Sequence, residues 1–422
     1  MKGKTRNVTI LLSALLLILW CACAMQAQRA GAWGDAVSVR WAGEAGASPA
    51  QILRQERYAL EDGAEHPPQA TLWREYAGCA VSRPGGGRSA GGTVARVFGD
   101  PGRLWPLGFA AGGWPTRGDA DGCAVSADVA AALWGGADVV GMPLVWEGRT
   151  YTVRGVFRGA ERLVVVQGEG ESESPYPGLL LTFPQGGGRE EAAVWLASAG
   201  LSGGTLLDLG FLAWCLGALA ALPALALFAW LAARALGRLW RLRTAPLLLA
   251  QALIPALALA GAALWAAGLP AGVPARLIPT RWSDFSFWPG LARELGGTVR
   301  TLFAMPQGAW DLALWGRVLA CLALAAPAAA AALFWAGRAR PRSGRALFLG
   351  CLGWMALLFA AALFSAPLGG LAPSRGMWLL PPLWLAAGLA LARHETYLTK
   401  GGEAHEDPQA EALAGRDARP EA

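Results

Sequence analysis

The sequence predicts an α-helical membrane protein of about six transmembrane helices, with an extracytoplasmic α+β domain inserted after the first of them. Hydrophobic residues make up 54% of the 422 residues and charged residues only 16%, whereas soluble domains carry about 25% charged residues. The apolar residues are gathered into long runs on either side of one mixed, polar region. Runs of this length are typical of a chain that crosses a bilayer.

The first membrane segment is an apolar run at residues 8–25, which follows Lys2, Lys4 and Arg6. A basic start before an apolar run is typical of a cleaved signal peptide, for which Ala22-Cys23-Ala24 offers a small-residue cleavage site. It is equally typical of an uncleaved signal anchor, since ~18 apolar residues can cross a bilayer. The residues alone leave both interpretations open.

Residues 28–205 form the polar region, hereafter the α+β domain. Ser126 stands before an Ala-rich stretch and predicts an N-capped short helix, and Gly148 lies between two apolar stretches and predicts a hairpin. Since strands and helices interleave, we expect an α+β fold with its own core. The expected strands are 93–98, 143–146, 150–157, 163–167 and 179–183, and the expected helices are 127–133 and 189–199.

Five further apolar segments follow within residues 206–393, which we expect to form the membrane domain. The last of them is short and contains Pro381-Pro382, so it is expected to kink or to lie partly buried in protein. The charged residues 394–422 are expected to be a disordered tail. The five segments are 209–233, 246–268, 314–336, 346–366 and 376–392.

Clusters of basic residues set the expected orientation. They lie before the first apolar segment, between the second and third, and between the fourth and fifth, which is a single side of the membrane if six segments alternate. By the positive-inside rule, this side is the cytoplasm. We therefore expect a multi-pass protein of the cell membrane with both termini cytoplasmic, and with residues 28–205 and the loop 269–313 outside.

The outer loop contains a dense aromatic stretch at residues 281–288. Aromatic residues beside membrane segments are typical of an interfacial belt that anchors a helix at the membrane surface. A ligand-binding role for this stretch is the alternative. Inside the apolar segments there is almost no ionisable residue, and Arg317 and Arg375 lie at edges from which they can reach water.

No catalytic, cofactor-binding or metal site is predicted. The sequence has no Gly-x-x-x-x-Gly-Lys-Ser/Thr loop and no His-Glu-x-x-His or Cys-x-x-Cys pair, so it lacks the signatures of P-loop ATPases and common zinc sites. Its basic residues flank apolar segments, which favours membrane lipid over nucleic acid as a partner. We expect no enzyme activity in this chain.

Cys79 and Cys123 are the only cysteines of the α+β domain, and each lies in a Gly-Cys-Ala-Val-Ser pentapeptide. If the domain is outside the cell, a disulfide between them is permitted. The sequence does not show whether their Cα atoms are close enough to be bridged. The Cys79–Cys123 disulfide is therefore an open expectation.

Residues 112–156 combine a Gly-Gly turn, an acidic residue, a strand that ends in Ser, a helix that ends in Leu-Trp-Gly, and a hairpin that closes on Val-Arg-Gly-Val. In this order the block resembles the extracytoplasmic core domain of macrolide-exporter-type ABC permeases, the MacB-like family. The residues concerned specify the fold, because they cap a helix, break it, or turn the chain. They are Ser126, Gly135, Gly141, Gly148 and Gly155.

The resemblance also implies how the chain is organised. The family has an uncleaved first helix, so residues 1–27 are expected to be a transmembrane anchor. It implies a separate cytoplasmic ABC ATPase and a homo- or heterodimer of permeases as partners. This chain departs from the family in three ways: the family typically has four membrane helices, it has no recognised counterpart of the loop 269–313, and Trp134 replaces its usual Phe.

The segment Arg234–Thr244 joins the second and third apolar segments on the expected cytoplasmic side, where the resembling permeases place a coupling helix. Its arginines share one helical face, and its apolar residues offer a docking surface. The alternative is that the arginines only fix the orientation and contact lipid phosphates. The candidate coupling residues are Arg234, Arg238, Leu239, Trp240 and Arg241.

Two functional hypotheses follow. The resemblance implies a permease-like subunit of an ABC transporter system, in which closure of a separate ATPase is transmitted through the helices to the outer domain. Such mechanotransmission requires no substrate path between the helices, which agrees with the scarcity of polar residues there. The alternative is a non-transporting membrane protein whose outer domain binds a partner or assists envelope assembly.

Overall fold

The chain folds into a sheet-containing part and a bundle of long helices, which share one buried cluster of side chains. Other clusters belong to one part alone. The expected tail 394–422 lies outside the described residues. The computed structural model describes residues 2–63, 65–241, 243, 246–267, 272–279, 281, 283–339, 341, 343–366 and 370–390.

Within the described residues, ten strands form one mixed sheet in the order β10-β1-β9-β2-β3-β8-β5-β7-β4. The sixth strand pairs with both β2 and β7, so β2, β3, β8, β5, β7 and β6 form a closed ring. The strands are β1 Ala36–Arg40, β2 Gln69–Ser82, β3 Ser89–Phe98, β4 Phe109–Gly112, β5 Gly122–Ser126, β6 Pro143–Trp146, β7 Arg149–Phe157, β8 Leu163–Gln167, β9 Gly178–Thr182 and β10 Thr205–Asp208.

Four short helices accompany the sheet, and longer helices make up the bundle. The short ones are α2 Pro49–Glu61, α3 Pro101–Leu104, α4 Ala127–Trp134 and α5 Arg189–Ser198. The others are α1 Lys2–Gly31, α6 Leu209–Ala220, α7 Leu222–Arg241, α8 Pro246–Ala267, α9 Phe287–Ala304, α10 Ala309–Arg338, α11 Gly344–Ser365 and a last helix, α12, at 375–390.

The strands and helices expected from the sequence are present with small changes at their ends. The hairpin turn between β6 and β7 consists of Glu147 and Gly148, with φ of 49° and 76°, as a type I′ turn requires. Gly135 ends α4 with φ of 85°, and Gly141 turns the chain with φ of 88°. Both glycines therefore occupy backbone conformations that side-chain-bearing residues rarely adopt.

Ser126 is the N-cap residue of α4, as expected, but its side chain makes no capping hydrogen bond. Its Oγ instead accepts a hydrogen bond from the Leu163 amide at 3.2 Å, while Asp128 accepts one from the Arg162 amide at 2.8 Å. The prediction of a side-chain cap was wrong, because both side chains bind the start of β8. They fix α4 to the sheet.

Three helices of the described residues are long and apolar enough to cross a membrane: α1 from Val8, α10 and α11. By the length and composition of these helices, the chain is a membrane protein. A fourth span exists if α6 and α7 count as one, since they meet at a 49° bend. Pro223 in the first turn of α7 explains the bend, because its ring clashes with the preceding turn. The expected count of six spans is not confirmed.

The other two expected spans, 246–268 and 376–392, correspond to the helices α8 and α12. α8 is described only in part, and α12 has Pro381-Pro382 within it. Buried side chains of α12 include Leu380, Trp384 and Leu385, which pack in the same cluster as α1 and α10. This agrees with the expectation that the last segment lies partly buried in protein.

Cys79 and Cys123 are both free thiols in the structure. Cys79 lies on β2 opposite Gly92 of β3, and Cys123 lies on β5, which pairs with β7 and β8. The strands β3 and β8 separate β2 from β5 along the sheet. The expected disulfide is therefore not formed.

Gly155 generates a stability prediction, because a Cβ atom there would lie 2.4 Å from the Gly113 carbonyl oxygen and 2.6 Å from the Phe109 ring. We expect Gly155→Val to destabilise the protein by about 2–3 kcal/mol through overpacking. In a domain of this size, each kcal/mol lowers the melting temperature by roughly 2–4 °C. Thermal unfolding of the purified full-length protein measures the shift.

Gly91→Val is the matched control, since Gly91 lies in strand β3 with open space at its Cβ position. We expect this variant to melt within about 0.5 kcal/mol of the wild type. Equal melting temperatures for Gly155→Val and Gly91→Val would contradict the close backbone approach at Gly155.

Candidate functional site

The candidate site is the contact between the α+β domain and the membrane helices, hereafter the junction. Two covalent connections lead into it. α1 ends at Gly31, five residues before β1, and β10 runs without a break into α6. Asp208, the last residue of β10, caps α6 by accepting a hydrogen bond from the Phe211 amide at 2.8 Å. Since β1 and β10 are paired, α1 and α6 are attached to neighbouring strands.

A third, non-covalent connection joins the amino end of α10 to β2. The Glu75 carboxylate on β2 accepts hydrogen bonds from the amides of Ala309 and Trp310, the latter at 3.0 Å. Asp311 accepts one from the Gly308 amide at 3.0 Å. The first amides of a helix lack intrahelical acceptors and carry partial positive charge, so two carboxylates satisfy and stabilise this end.

Arg40 of β1 forms an ion pair with Asp311 inside the junction. Its Nη1 donates to both carboxylate oxygens of Asp311, at 2.8 and 2.7 Å. The two side chains are only 11% and 8% exposed. Removing one partner of such a buried pair typically costs about 3–5 kcal/mol, because the other charge is then left without compensation.

Three tryptophans pack together beside this ion pair, and one of them contacts Arg40. The Trp310 ring lies 5.7 Å from Trp33, which precedes β1, and 5.0 Å from Trp73 of β2. The Arg40 guanidinium lies 5.5 Å from the Trp73 ring centroid. Gly178 of β9 pairs with Trp73, and a Cβ there would lie 2.4 Å from its ring. Glycine therefore provides the space for the Trp73 ring.

α10 also contacts the carboxyl end of α1. Arg317 donates a hydrogen bond to the Arg29 carbonyl oxygen at 2.9 Å, and its guanidinium lies 4.4 Å from the Trp33 ring centroid. Arg317 was expected at the edge of its membrane segment, and it lies eight residues after the start of α10. Through these contacts α1 and α10 reach the α+β domain as one unit.

α9 connects the domain to the expected outer surface of the membrane. Its Glu294 binds Arg189 of α5 at 2.6 Å and Arg276 at 2.8 Å. One side of α9 exposes Trp288, Val299 and Phe303, which recur at helical spacing. An exposed apolar stripe of this kind is typical of a helix that lies in a membrane interface.

The coupling segment expected from the sequence lies at the carboxyl end of α7, away from the junction along the chain. Trp240 is 68% exposed, and Leu239 is half-buried. The Arg234 guanidinium lies 5.9 Å from the Trp384 ring centroid of α12. The side chains of Arg238 and Arg241 lie outside the described residues.

The sequence did not single out Arg40, Glu75 or Asp311. Only Asp311 carried a usable signal, because it is an acidic residue three positions after Gly308, before a long apolar run. That spacing is typical of a helix start. Arg40 and Glu75 lie on strands far away in the sequence, where no local pattern marks them.

No protein-family model and no curated protein sequence matches this chain. Solved structures similar to part of it include the periplasmic region of MacB from Actinobacillus actinomycetemcomitans, which is 8% identical with a TM-score of 0.34 over 42% of this chain and 89% of that one. The extracellular domain of the noncanonic ABC-type transporter YknZ from Gram-positive bacteria is 12% identical, with a TM-score of 0.30 over 41% of this chain and 98% of that one.

A domain of a putative permease protein from Porphyromonas gingivalis is 16% identical, with a TM-score of 0.28 over 40% of this chain and 83% of that one. The first of the three structures carries the name of the family that residues 112–156 resemble.

Glu75 generates a pH prediction. Burial raises the pKa of its carboxyl group above the usual value, against the opposing hydrogen bonds from the Trp310 and Ala309 amides. At pH values between the pKa of Glu75 in the unfolded chain and its pKa in the folded protein, the folded state therefore binds more protons than the unfolded state. The contribution of Glu75 to stability is present below the unfolded pKa and is lost as the pH rises through the folded pKa.

We expect the melting temperature of the wild type to fall, relative to that of Glu75→Gln, as the pH is raised from about 4 through this window. Glu61→Gln, a change at an exposed glutamate of α2, should keep the wild-type pH profile. Parallel profiles for the wild type and Glu75→Gln would show that Glu75 does not titrate differently in the folded protein.

Proposed function

We propose that this chain is a permease-like membrane subunit of an ABC transporter system, which couples a separate cytoplasmic ATPase to the α+β domain on the outer side. The observation that supports the proposal best is the junction. There α1, α6 and α10 are attached to three strands, β1, β10 and β2, by covalent linkage, a buried ion pair and helix capping. A displacement of these helices would therefore be passed to the sheet.

In this proposal both termini and the carboxyl end of α7 are cytoplasmic, and the ATPase docks at that end of α7. Its ATP-driven closure moves α7, the bent α6 and the packed α1–α10 pair, and the sheet follows. A second permease chain, identical or different, completes the system. No step takes a substrate between the helices, so no polar path through them is needed.

The alternative is a non-transporting membrane protein whose α+β domain binds a partner or assists envelope assembly. That function needs no ATPase and no mechanical continuity from α7 to the sheet. The two functions therefore differ in what the exposed end of α7 and the junction are expected to do.

The first test concerns docking at α7. Replacing Leu239 and Trp240 together by alanine removes apolar surface but no charge, so membrane insertion should be unchanged. We expect this double variant to lose co-purification with an ABC ATPase encoded beside this chain. Loss of two interface side chains of this kind typically weakens association by about 2 kcal/mol or more, which is roughly 30-fold.

The matched control replaces Leu257 and Trp265 of α8, which are 63% and 62% exposed, by alanine. It removes the same side chains from a surface that the proposal assigns to lipid, so association should be retained. Undiminished association in the Leu239→Ala/Trp240→Ala variant would leave the α7 arginines as orientation signals only.

The second test concerns the junction. The double variant Arg40→Gln/Asp311→Asn removes both charges of the buried pair without leaving one unpaired, and the amide oxygen of the introduced asparagine can still accept a hydrogen bond from the Gly308 amide. We expect it to bind the ATPase normally but to lose the ATP-dependent change in amide hydrogen exchange of the α+β domain. Coupling free energies of this kind are typically about 1–3 kcal/mol.

Arg54→Gln/Glu173→Gln is the matched control, because it removes an exposed ion pair, 3.8 Å long, between α2 and the segment that follows β8. Its ATP response should equal that of the wild type. A full ATP response in Arg40→Gln/Asp311→Asn would argue that force reaches the domain by another route.

A further inference from the structure

The α+β domain contains a recess of about 230 Å³ whose lining is unusually rich in arginine and tyrosine. It lies between β2, β3, the end of β8 and the β6–β7 hairpin, and is independent of the junction. Its polar side chains include Arg74, Arg96, Arg149, Tyr76, Tyr151 and Gln167, together with the carboxylates of Glu147 and Glu169.

Arg74 and Arg96 lie directly opposite each other on the antiparallel strands β2 and β3. Like charges in this position destabilise a strand pair, so the arrangement costs stability unless an anion compensates it. The Arg96 guanidinium packs against two rings that contact each other, 5.6 Å from Tyr76 and 4.9 Å from Trp146. Its position is therefore fixed before any ligand arrives.

Of the three arginines in the recess, Arg96 and Arg149 have acidic partners, whereas Arg74 has none among the described residues. Arg149 is paired with Asp121 and Glu169, and Arg96 lies 3.5 Å from Glu147. Arg74 donates to the Pro175 carbonyl oxygen, but no carboxylate of the described residues lies within 4.0 Å of it. One half-buried positive charge is thus left without a counter-ion.

From these contacts we infer that the recess binds a small anion, a phosphate or carboxylate group that carries a neighbouring hydroxyl. Arg74 and Arg96 bind the anionic group, and the tyrosine hydroxyls bind the hydroxyl. Arginine suits this role because its planar fork of donors matches phosphate and carboxylate oxygens. A soluble metabolite and a lipid headgroup can both present this chemistry.

Glycerol 3-phosphate is the probe, because it combines a phosphate with hydroxyls in a volume that fits the recess. Titrated into the full-length protein in a neutral detergent, it should bind saturably and raise the melting temperature. Sodium chloride at the same ionic strength should produce no saturable shift, since it only screens charge.

Arg74→Gln and Arg96→Gln should each weaken binding at least ten-fold, because each removes one of the two phosphate ligands. Arg83→Gln is the matched control: it removes one positive charge from an exposed position just after β2 and outside the recess, so binding should be unchanged. Arg74→Lys, which keeps the charge but not the fork, should give an intermediate affinity.

The unliganded Arg74→Gln variant should melt no lower than the wild type, since it relieves the repulsion between the two arginines. This measurement separates loss of the ligand site from loss of the fold. In a second arm, detergent micelles containing phosphatidylglycerol compete with the probe. Competition identifies a lipid headgroup as the source of the anion, and its absence identifies a soluble one.

The inference is overturned if glycerol 3-phosphate shows no saturable binding and phosphatidylglycerol micelles also fail to stabilise the wild type more than Arg74→Gln. It is equally overturned if the probe binds Arg74→Gln, Arg96→Gln and Arg83→Gln with one affinity, because the interaction would then be general charge attraction.

Discussion

The buried Arg40–Asp311 ion pair constrains the whole junction. Both charges are nearly excluded from water, and a charge in that position is tolerated only when its partner and further hydrogen bonds are in place. Asp311 also caps α10, while Arg40 belongs to the strand that continues from α1. If the sheet and the helices separated, each buried charge would lose its partner. The ion pair therefore holds the contact between them in one defined geometry.

Strand β2 serves two sites through the alternation of its side chains. Trp73 and Glu75 point to the junction, where they contact α10. Arg74 and Tyr76 lie on the opposite face and line the arginine-rich recess, because successive residues of a strand face opposite sides of the sheet. A shift of β2 relative to β3 would therefore change the spacing of the two facing arginines.

The sequence predicted the elements whose signals are local. The Glu147-Gly148 turn, the short helix after Ser126 and the continuous apolar strand at 163–167 each carry their own pattern, and all three are present. Strand β2 was missed because polar and aromatic residues interrupt its alternation.

The junction was missed for a different reason: Arg40, Glu75 and Asp311 come together only across the folded chain, and no sequence spacing encodes their contact. The hydrogen bond of the Ser126 side chain was missed for the same reason, because its donor, the Leu163 amide, is distant in the sequence.

The length of α10 explains how a carboxylate can begin a membrane helix. Its 30 residues extend about 45 Å at 1.5 Å per residue, whereas the hydrocarbon core of a bilayer is about 30 Å thick. The surplus of roughly ten residues lets Asp311 and Arg317 stand outside the apolar layer, where a charge is far less costly. α1 has the same length, and its carboxyl end is joined to the amino-terminal part of α10 by the Arg317 contacts. The length of α10 thus allows the described ionic contacts between α10 and the sheet to lie outside the apolar layer.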